Sequence, residues 1–449
     1  MAKTNEYQYD VVFLGSGHGT FDGAIPLAAK DYKVGVIEAD KIGGTCPNYG
    51  CNAKILLDAP VQLQREFERL QATGNVEGSI QLNWSANVQH KDAVINVLPD
   101  MIAGFMTGNG ITLIHGRGTL EDAHTIVVDG EKITSDKIVL STGLRTRELD
   151  IPGQEYLNNS TDFMALPQMP KQMVIIGSGY IALEFATIAN AAGADVTVLF
   201  SHGQALKQFP KQYVEIMLTD LQARGVKIVR DVTTNAVQKS GTAFVVETDQ
   251  GGYDADWVLN ATGRVPNVEG IGLEKVGVKF NKNGIVVNDE LQTTVSNIYA
   301  SGDVLDKPQG KLTPTAVYES MYLMRHLTGE QTTAIEYPVI PTVVYTSPRI
   351  AQVGVSLDEA LAQPERYTVK TSQVAADWYR QVENETLGEN ALIFEQATGK
   401  LVGAVEISDK AEDVINTLLP AIEFGYTPVE LARLVYLFPS IGNYAAGLI

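Results

Sequence analysis

Short apolar runs, each closed by glycine, set the rhythm of the first part of the chain. Residues 9–14 (YDVVFL) read as a strand, because consecutive apolar side chains suit a strand covered on both faces. Gly15, Gly17 and Gly19 follow, then a helical stretch from Phe21 to Lys30 and a second strand from Lys33 to Ile37, ending at Glu38. That order is a βαβ unit. The plan recurs with a strand and glycine turn at 173–179 (MVIIGSG), a helix over 180–192 and a strand at 195–200 (DVTVLF). Two such units in one chain predict an α/β fold with two doubly wound, Rossmann-like dinucleotide-binding domains.

The remaining pattern is more varied. Residues 53–73 read as a long helix with apolar positions Ile55, Leu56, Val61, Leu63, Phe67 and Leu70. Residues 111–142 alternate like strands, with turns at Gly116, Gly118 and Gly130. Residues 226–262 also read as strands, with Gly251-Gly252 as a hairpin turn. From 335 onward the pattern changes to strands at 342–354, 391–395 and 401–407, followed by two amphipathic helices near 411–424 and 428–435. No low-complexity linker separates these regions, so the domains are expected to pack against one another.

Composition narrows the class. A chain of 449 residues has room for about three domains. Hydrophobic residues at 45% and charged residues at 19% exclude a disordered chain. No apolar run reaches the roughly 18–20 residues of a transmembrane helix. The N-terminus, MAKTNEYQYD, is too polar for a signal peptide, so a soluble cytoplasmic protein without a membrane partner is expected. A net charge of −19 argues against nucleic acid, because phosphate binding needs clustered Lys and Arg. Two cysteines, Cys46 and Cys51, are too few for a disulfide scaffold. Two this close in a cytosolic chain point to redox chemistry or a metal.

Three motifs carry candidate chemistry. In Gly15-Ser-Gly17-His-Gly-Thr20, glycine lets the backbone approach a pyrophosphate, and the following helix N-terminus favours its charge. Glu38 ends the second strand, where an acid can accept both ribose hydroxyls; Thr20 stands where a third glycine is usual. In Gly177-Ser-Gly179-Tyr-Ile-Ala182 the second strand ends Leu199-Phe200-Ser201-His202, without an acid. That absence, with His202 and Lys207 nearby, leans toward NADPH over NADH. The third motif is Gly43-Gly-Thr-Cys46-Pro-Asn-Tyr-Gly-Cys51-Asn-Ala-Lys54. Cysteines five apart do not share one face of a regular helix, but Pro47 and Gly50 can bend the chain enough to bring them together. A helix N-terminus and Lys54 would lower a thiolate pKa. Metal binding would need two or more further ligands, and no other cysteine exists. Two inert buried thiols are the remaining reading.

The third motif closely resembles the redox-active segment of the class I pyridine nucleotide-disulfide oxidoreductases, the flavoprotein disulfide reductases, which include glutathione reductase, dihydrolipoamide dehydrogenase and mercuric reductase. The resemblance runs the length of the chain in the family's order. GSGYIALE at 177–184 is similar to its nicotinamide-binding turn, and Ala261-Thr-Gly-Arg-Val-Pro-Asn267 to the segment closing that domain. Ile298-Tyr-Ala-Ser-Gly-Asp303 and Leu312-Thr-Pro314 resemble its second flavin-binding stretch, and Pro341–Pro348 opens a region similar to its dimerisation domain. The resemblance implies an FAD-binding domain over 1–150 and 268–335, an NAD(P)H-binding domain over 151–267, and an α+β dimerisation domain over 336–449. It implies an enzyme using FAD and NADPH, with NADH possible, as a homodimer. Cys46 and Cys51 would form the redox disulfide, Cys51 against the flavin and Cys46 toward substrate. Glu38 would lie on the adenosine ribose and Asp303 on the ribityl chain. Lys54 and Glu184 would pair beside the flavin ring, with Tyr180 over its face. The implied cofactor-binding set further takes in Gly15, Gly17, Thr45, Gly118, Thr142, Gly143, Leu312, Thr313, Gly177, Gly179, Ile181, Ser201, His202, Lys207 and Gly263.

The tail departs from the family. A His–Pro pair followed shortly by Glu serves there as acid and base in the partner subunit's site. Here Phe438 stands where the His should be and Asn443 where the Glu should be. Positioned acid–base groups are worth about 10²–10⁴-fold in rate, so efficient disulfide exchange by the usual route is not expected. Tyr436 or Tyr444 could donate a proton, but tyrosine titrates near pH 10. Mercuric reductase resembles this chain in its Leu-Phe-Pro segment, but its C-terminal cysteine pair has no counterpart in Ala445-Ala-Gly-Leu-Ile449. The expected acceptor is a small molecule of the disulfide type. The alternatives are a quinone, a metal ion such as copper or mercury, dioxygen, or no acceptor at all in a flavin-bound redox sensor.

Overall fold

The computed structural model describes residues 6–449. The chain divides into two compact units. The first holds the residues up to Leu56, Gln89–Arg147 and Gly263–Glu336. The second holds Leu57–Val88, Glu148–Thr262 and Tyr337–Ile449.

In the first unit the predicted βαβ runs Tyr9–Leu14, Phe21–Ala28 and Val34–Glu38. The strand Tyr9–Leu14 lies between Val34–Glu38 and Glu131–Leu140, parallel to both, with Val11 opposite Val34 and Leu14 opposite Ile37. Thr112–His115 extends the sheet beyond Val34–Glu38, and Ile298–Ala300 pairs parallel with Glu131–Leu140. Val11, Val12, Phe13, Val36 and Ile37 are all buried, which is why the strands read as unbroken apolar runs. Thr20, in place of the third glycine, is fully buried and donates its hydroxyl to Gly15 O at 2.8 Å. A side chain is tolerated there because it ties the turn to itself.

The second unit contains the other βαβ, Gln172–Ile176, Tyr180–Ala191 and Asp195–Phe200. Its parallel sheet is ordered Lys227–Arg230, Asp195–Phe200, Gln172–Ile176, Trp257–Asn260. A five-stranded antiparallel sheet follows, ordered Thr342–Val344, Arg349–Gly354, Leu401–Ser408, Glu389–Glu395, Tyr367–Gln373, with helix Ala411–Glu423 packed on it. Among the described residues no helix is long and apolar enough to cross a membrane.

Several sequence expectations change. Gly251 and Gly252 are not the hairpin turn: they lie in strand Gly251–Ala255, opposite Thr248 and Glu247, and Asp249 and Gln250 make the turn. The stretch 342–354 is two strands, parted before Arg349. The second C-terminal helix shrinks to one turn, Pro428–Leu431, capped by Thr427 and Glu430. Helices Trp84–Ile95, Leu98–Gly108, Lys211–Ala223 and Thr313–Leu327 are additional.

Candidate active site

The redox segment is built on close backbone approach. Gly44 adopts φ +68°, and a Cβ there would sit 2.8 Å from Gly17 Cα, so the cysteine segment and the first glycine turn touch through bare backbone. Asn48 Nδ2 donates to Ile42 O and Gly44 O, both at 2.9 Å, and fixes the segment from within. Thr45–Tyr49 forms a short helix bearing Cys46. Gly50 breaks it where a Cβ would come 3.1 Å from Thr45 O, and Cys51 then opens the 22-residue helix Cys51–Ala72. The break places both sulfurs together, as one regular helix could not.

Cys46 is half-buried and Cys51 exposed, and a hydrogen bond joins the thiols. That bond pushes the Cys46 thiol well above its ordinary value, with burial adding to the effect. The same bond, opposed by burial and assisted by the Thr313 hydroxyl and the Lys54 charge, brings Cys51 down to about 6. Cys51 Sγ lies 3.6 Å from Thr313 Oγ1. The pair therefore shares one proton, held on Cys46, with the charge on Cys51 at the N-terminal end of a long helix.

Around the first glycine turn, Glu38 Oε2 accepts the N–H of Ser16 at 2.9 Å and its hydroxyl at 2.6 Å, and Ser16 Oγ accepts Gly43 N–H at 3.0 Å. Ser16 thus links the acid to the redox segment. Ser16 does not stand out by type in the sequence, and only its position inside the glycine motif could have marked it; Thr313, expected at the cofactor by resemblance, lies beside Cys51. Thr142 donates to Asn267 O at 2.7 Å. Gly118 is buried, and a Cβ there would crowd Leu14, Ile126 and Ile37. Asp303 sits in the turn Gly302–Val304 with its carboxylate 3.5 Å from Arg264 Nη1. Gly302 N–H, beneath it, donates to the buried Glu319 at 2.7 Å. Thr45 and Thr313 each begin a helix, Leu312 is the residue before the second, and Lys54 is buried. At Gly143 and Gly263 a Cβ would meet nothing within 4 Å, so the main chain is bare there. A glycine turn, an acid, bare backbone and a second acid in one unit fit the donor and acceptor groups of a flavin dinucleotide.

The second unit holds the other candidate residues. Gly177 has φ +136°, Gly179 precedes helix Tyr180–Ala191, and Ile181 lies in its first turn. Tyr180 is 41% exposed, whereas Glu184 is buried and accepts the N–H of Tyr345 at 2.8 Å. Ser201, His202 and Lys207 are exposed after strand Asp195–Phe200. In the tail Phe438 is 70% exposed, its ring 5.6 Å from that of Trp378. Tyr444 is a core residue: its hydroxyl accepts from Asn390 Nδ2 at 2.9 Å, Arg380 covers its ring at 4.8 Å, and burial pushes its pKa up. It is not placed to serve as the proton donor considered above.

The model of the pyridine nucleotide-disulphide oxidoreductases matches residues 9–320, and that of their dimerisation domain matches residues 340–445. The chain belongs to this family. It is 33% identical to the mercuric reductase of Staphylococcus aureus, over 94% of this chain and 78% of that one. It is 30% identical to the glutathione reductase of a Nostoc strain, over 97% and 98%. Among solved structures, the HOCl-induced flavoprotein disulfide reductase RclA from Escherichia coli superposes with a TM-score of 0.89 at 25% identity, covering 98% of this chain and 99% of that one. The chain is thus an oxidoreductase of a flavoprotein family whose members use FAD and NAD(P)H, and it carries that family's dimerisation domain.

Proposed function

We propose that this pyridine nucleotide-disulphide oxidoreductase takes two electrons from NAD(P)H and passes them by way of FAD to the Cys46–Cys51 disulfide. From there they go to a small-molecule acceptor. The observation that carries the reading is the placement of Cys46 and Cys51 within hydrogen-bond reach of each other across the helix break at Gly50. FAD, when bound, supplies the link between a nicotinamide donor and a dithiol. Glu38 would hold its adenosine ribose and Asp303 its ribityl chain. Lys54 would place a cation beside the ring. Tyr180 would cover the ring until a nicotinamide displaces it, a role its exposure suits. Opening the disulfide consumes two electrons and one proton at neutral pH: Cys46 takes the proton and Cys51 becomes the thiolate. The exposed side chains Val435 (96%) and Leu437 (86%), beside Phe438, suit an interface within a homodimer.

A disulfide-type acceptor is the family's reading, but one observation favours an acceptor of another class. Exchange with an incoming disulfide begins from a thiolate on the substrate-facing sulfur, by resemblance Cys46. The Cys46 thiol is pushed upward by its bond to Cys51, and Phe438 offers no base to deprotonate it. A quinone or a soft metal ion needs no such base. The test is to reduce the protein anaerobically and mix it with glutathione disulfide, lipoamide, a quinone and Cu²⁺. Slow reoxidation by the disulfides is expected in the parent. A gain of about 10²-fold with the disulfides is expected in Phe438→His, with no matching gain for the quinone. Parent protein as fast with a disulfide as Phe438→His would remove the preference for a non-disulfide acceptor.

A further inference from the structure

The end of strand Asp195–Phe200 is where an acid would grip the adenosine ribose of NADH and repel the 2′-phosphate of NADPH. That strand is followed there by Ser201. Its neighbour Lys227–Arg230 runs parallel to it with Arg230 opposite Phe200, so Asp231 and Ser201 leave the sheet side by side, at the carboxyl ends where open α/β sheets bind ligands. Both Asp231 carboxylate oxygens lie 3.6 Å from where a Cβ on Gly203 would be. The acid missing from one strand is thus delivered to the same turn by the next.

Arg230, which feels the Asp231 charge, is held mainly by another carboxylate. Its Nη1 and Nη2 are both held by Glu215 at 2.6 Å, and Nη1 also donates to Gly203 O at 3.2 Å. Its charge is engaged in holding the turn against helix Lys211–Ala223. Asp231 is set by its own backbone: φ is +54°, and its carbonyl accepts Gln250 Nε2 at 2.8 Å. A 2′-phosphate at this turn would meet His202 and Lys207, but also the exposed Asp231 carboxylate.

We infer that Asp231 is a specificity-determining residue for the nicotinamide nucleotide, opposing the 2′-phosphate, so that the site takes NADH at least as readily as NADPH. The inference rests on the proposed nucleotide role of the Gly177–Gly179 turn.

The experiment measures calorimetric binding of NAD⁺ and NADP⁺ to the oxidised holoenzyme, alongside kcat/KM for NADH and NADPH. The parent is expected to bind NAD⁺ no more weakly than NADP⁺. Asp231→Asn keeps a residue type that tolerates left-handed backbone. It is expected to shift the ratio toward NADP⁺ by about tenfold, the scale of one exposed, water-screened charge about 4 Å from a phosphate. Ser201→Glu, which restores an acid to the first strand, is expected to shift it the other way. If Ser201→Glu moves the ratio and Asp231→Asn does not, the inference is overturned while the nucleotide site stands. If neither nucleotide binds the parent, the nucleotide site itself falls, and the inference with it.

Discussion

Thr313 Oγ1 lies 3.6 Å from Cys51 Sγ, and Lys54 follows Cys51 by one helical turn. With the Cys46 hydrogen bond, these groups bring Cys51 from an ordinary 9.0 to about 6. The direction fixes the pH dependence. Between about pH 6 and 9 Cys51 is a thiolate where an unperturbed cysteine is a thiol, and it is lost as the pH falls through 6. Alkylation of the anaerobically reduced protein by iodoacetamide should therefore persist at neutral pH and fall away below about pH 6. A hydrogen bond to a charged group is worth about 1.5–3 kcal/mol, and a pKa unit is about 1.4. Thr313→Ala should thus raise the midpoint by about one unit or more. An unmoved midpoint would show that the hydroxyl does not hold the thiolate. A single hydroxyl such as Ser16 was not legible in the sequence, because one polar residue has no period and gains meaning only from what it touches; Thr313 was marked only by resemblance, and for the cofactor rather than for Cys51. Asp231 was hidden for a related reason: its strand neighbour lies some thirty positions away in the chain.

Among elements, the strands were read most faithfully. Those around Tyr9–Leu14 and Gln172–Ile176 are buried on both faces, so burial writes itself into the sequence as continuous apolar runs. The C-terminal stretch misled for the opposite reason. The helix expected over 428–435 lasts one turn, and Val429, Leu434 and Val435 are all exposed. Their apolarity serves a surface rather than this chain's own core. Gly251-Gly252 looked like a turn, but Thr248 and Glu247 pair opposite them. If the tail is an interface, Val435→Asp with Leu437→Asp should convert a dimer to a monomer in light scattering without lowering the thermal unfolding temperature of the monomer. A double variant that stays dimeric would place the interface elsewhere.

At the scale of the whole molecule, two glycine turns after apolar strands and one cysteine pair were enough to indicate the family, because each lies within a unit whose order the chemistry requires. The acceptor was not legible: the family's acid–base position carries Phe438, and a replaced residue tells what is missing rather than what took its place. The central claim concerns the two cysteines alone and can be tested without knowing the acceptor. Free thiols would be counted with a chromogenic disulfide reagent in the unfolded protein, before and after anaerobic addition of one equivalent of NADH or NADPH to the oxidised holoenzyme. The account predicts none before and two per chain after, the chain's full complement of cysteines. In Cys46→Ser one thiol would be present throughout. A parent protein whose flavin bleaches while no thiol appears, or which holds both thiols before any nucleotide is added, would contradict it.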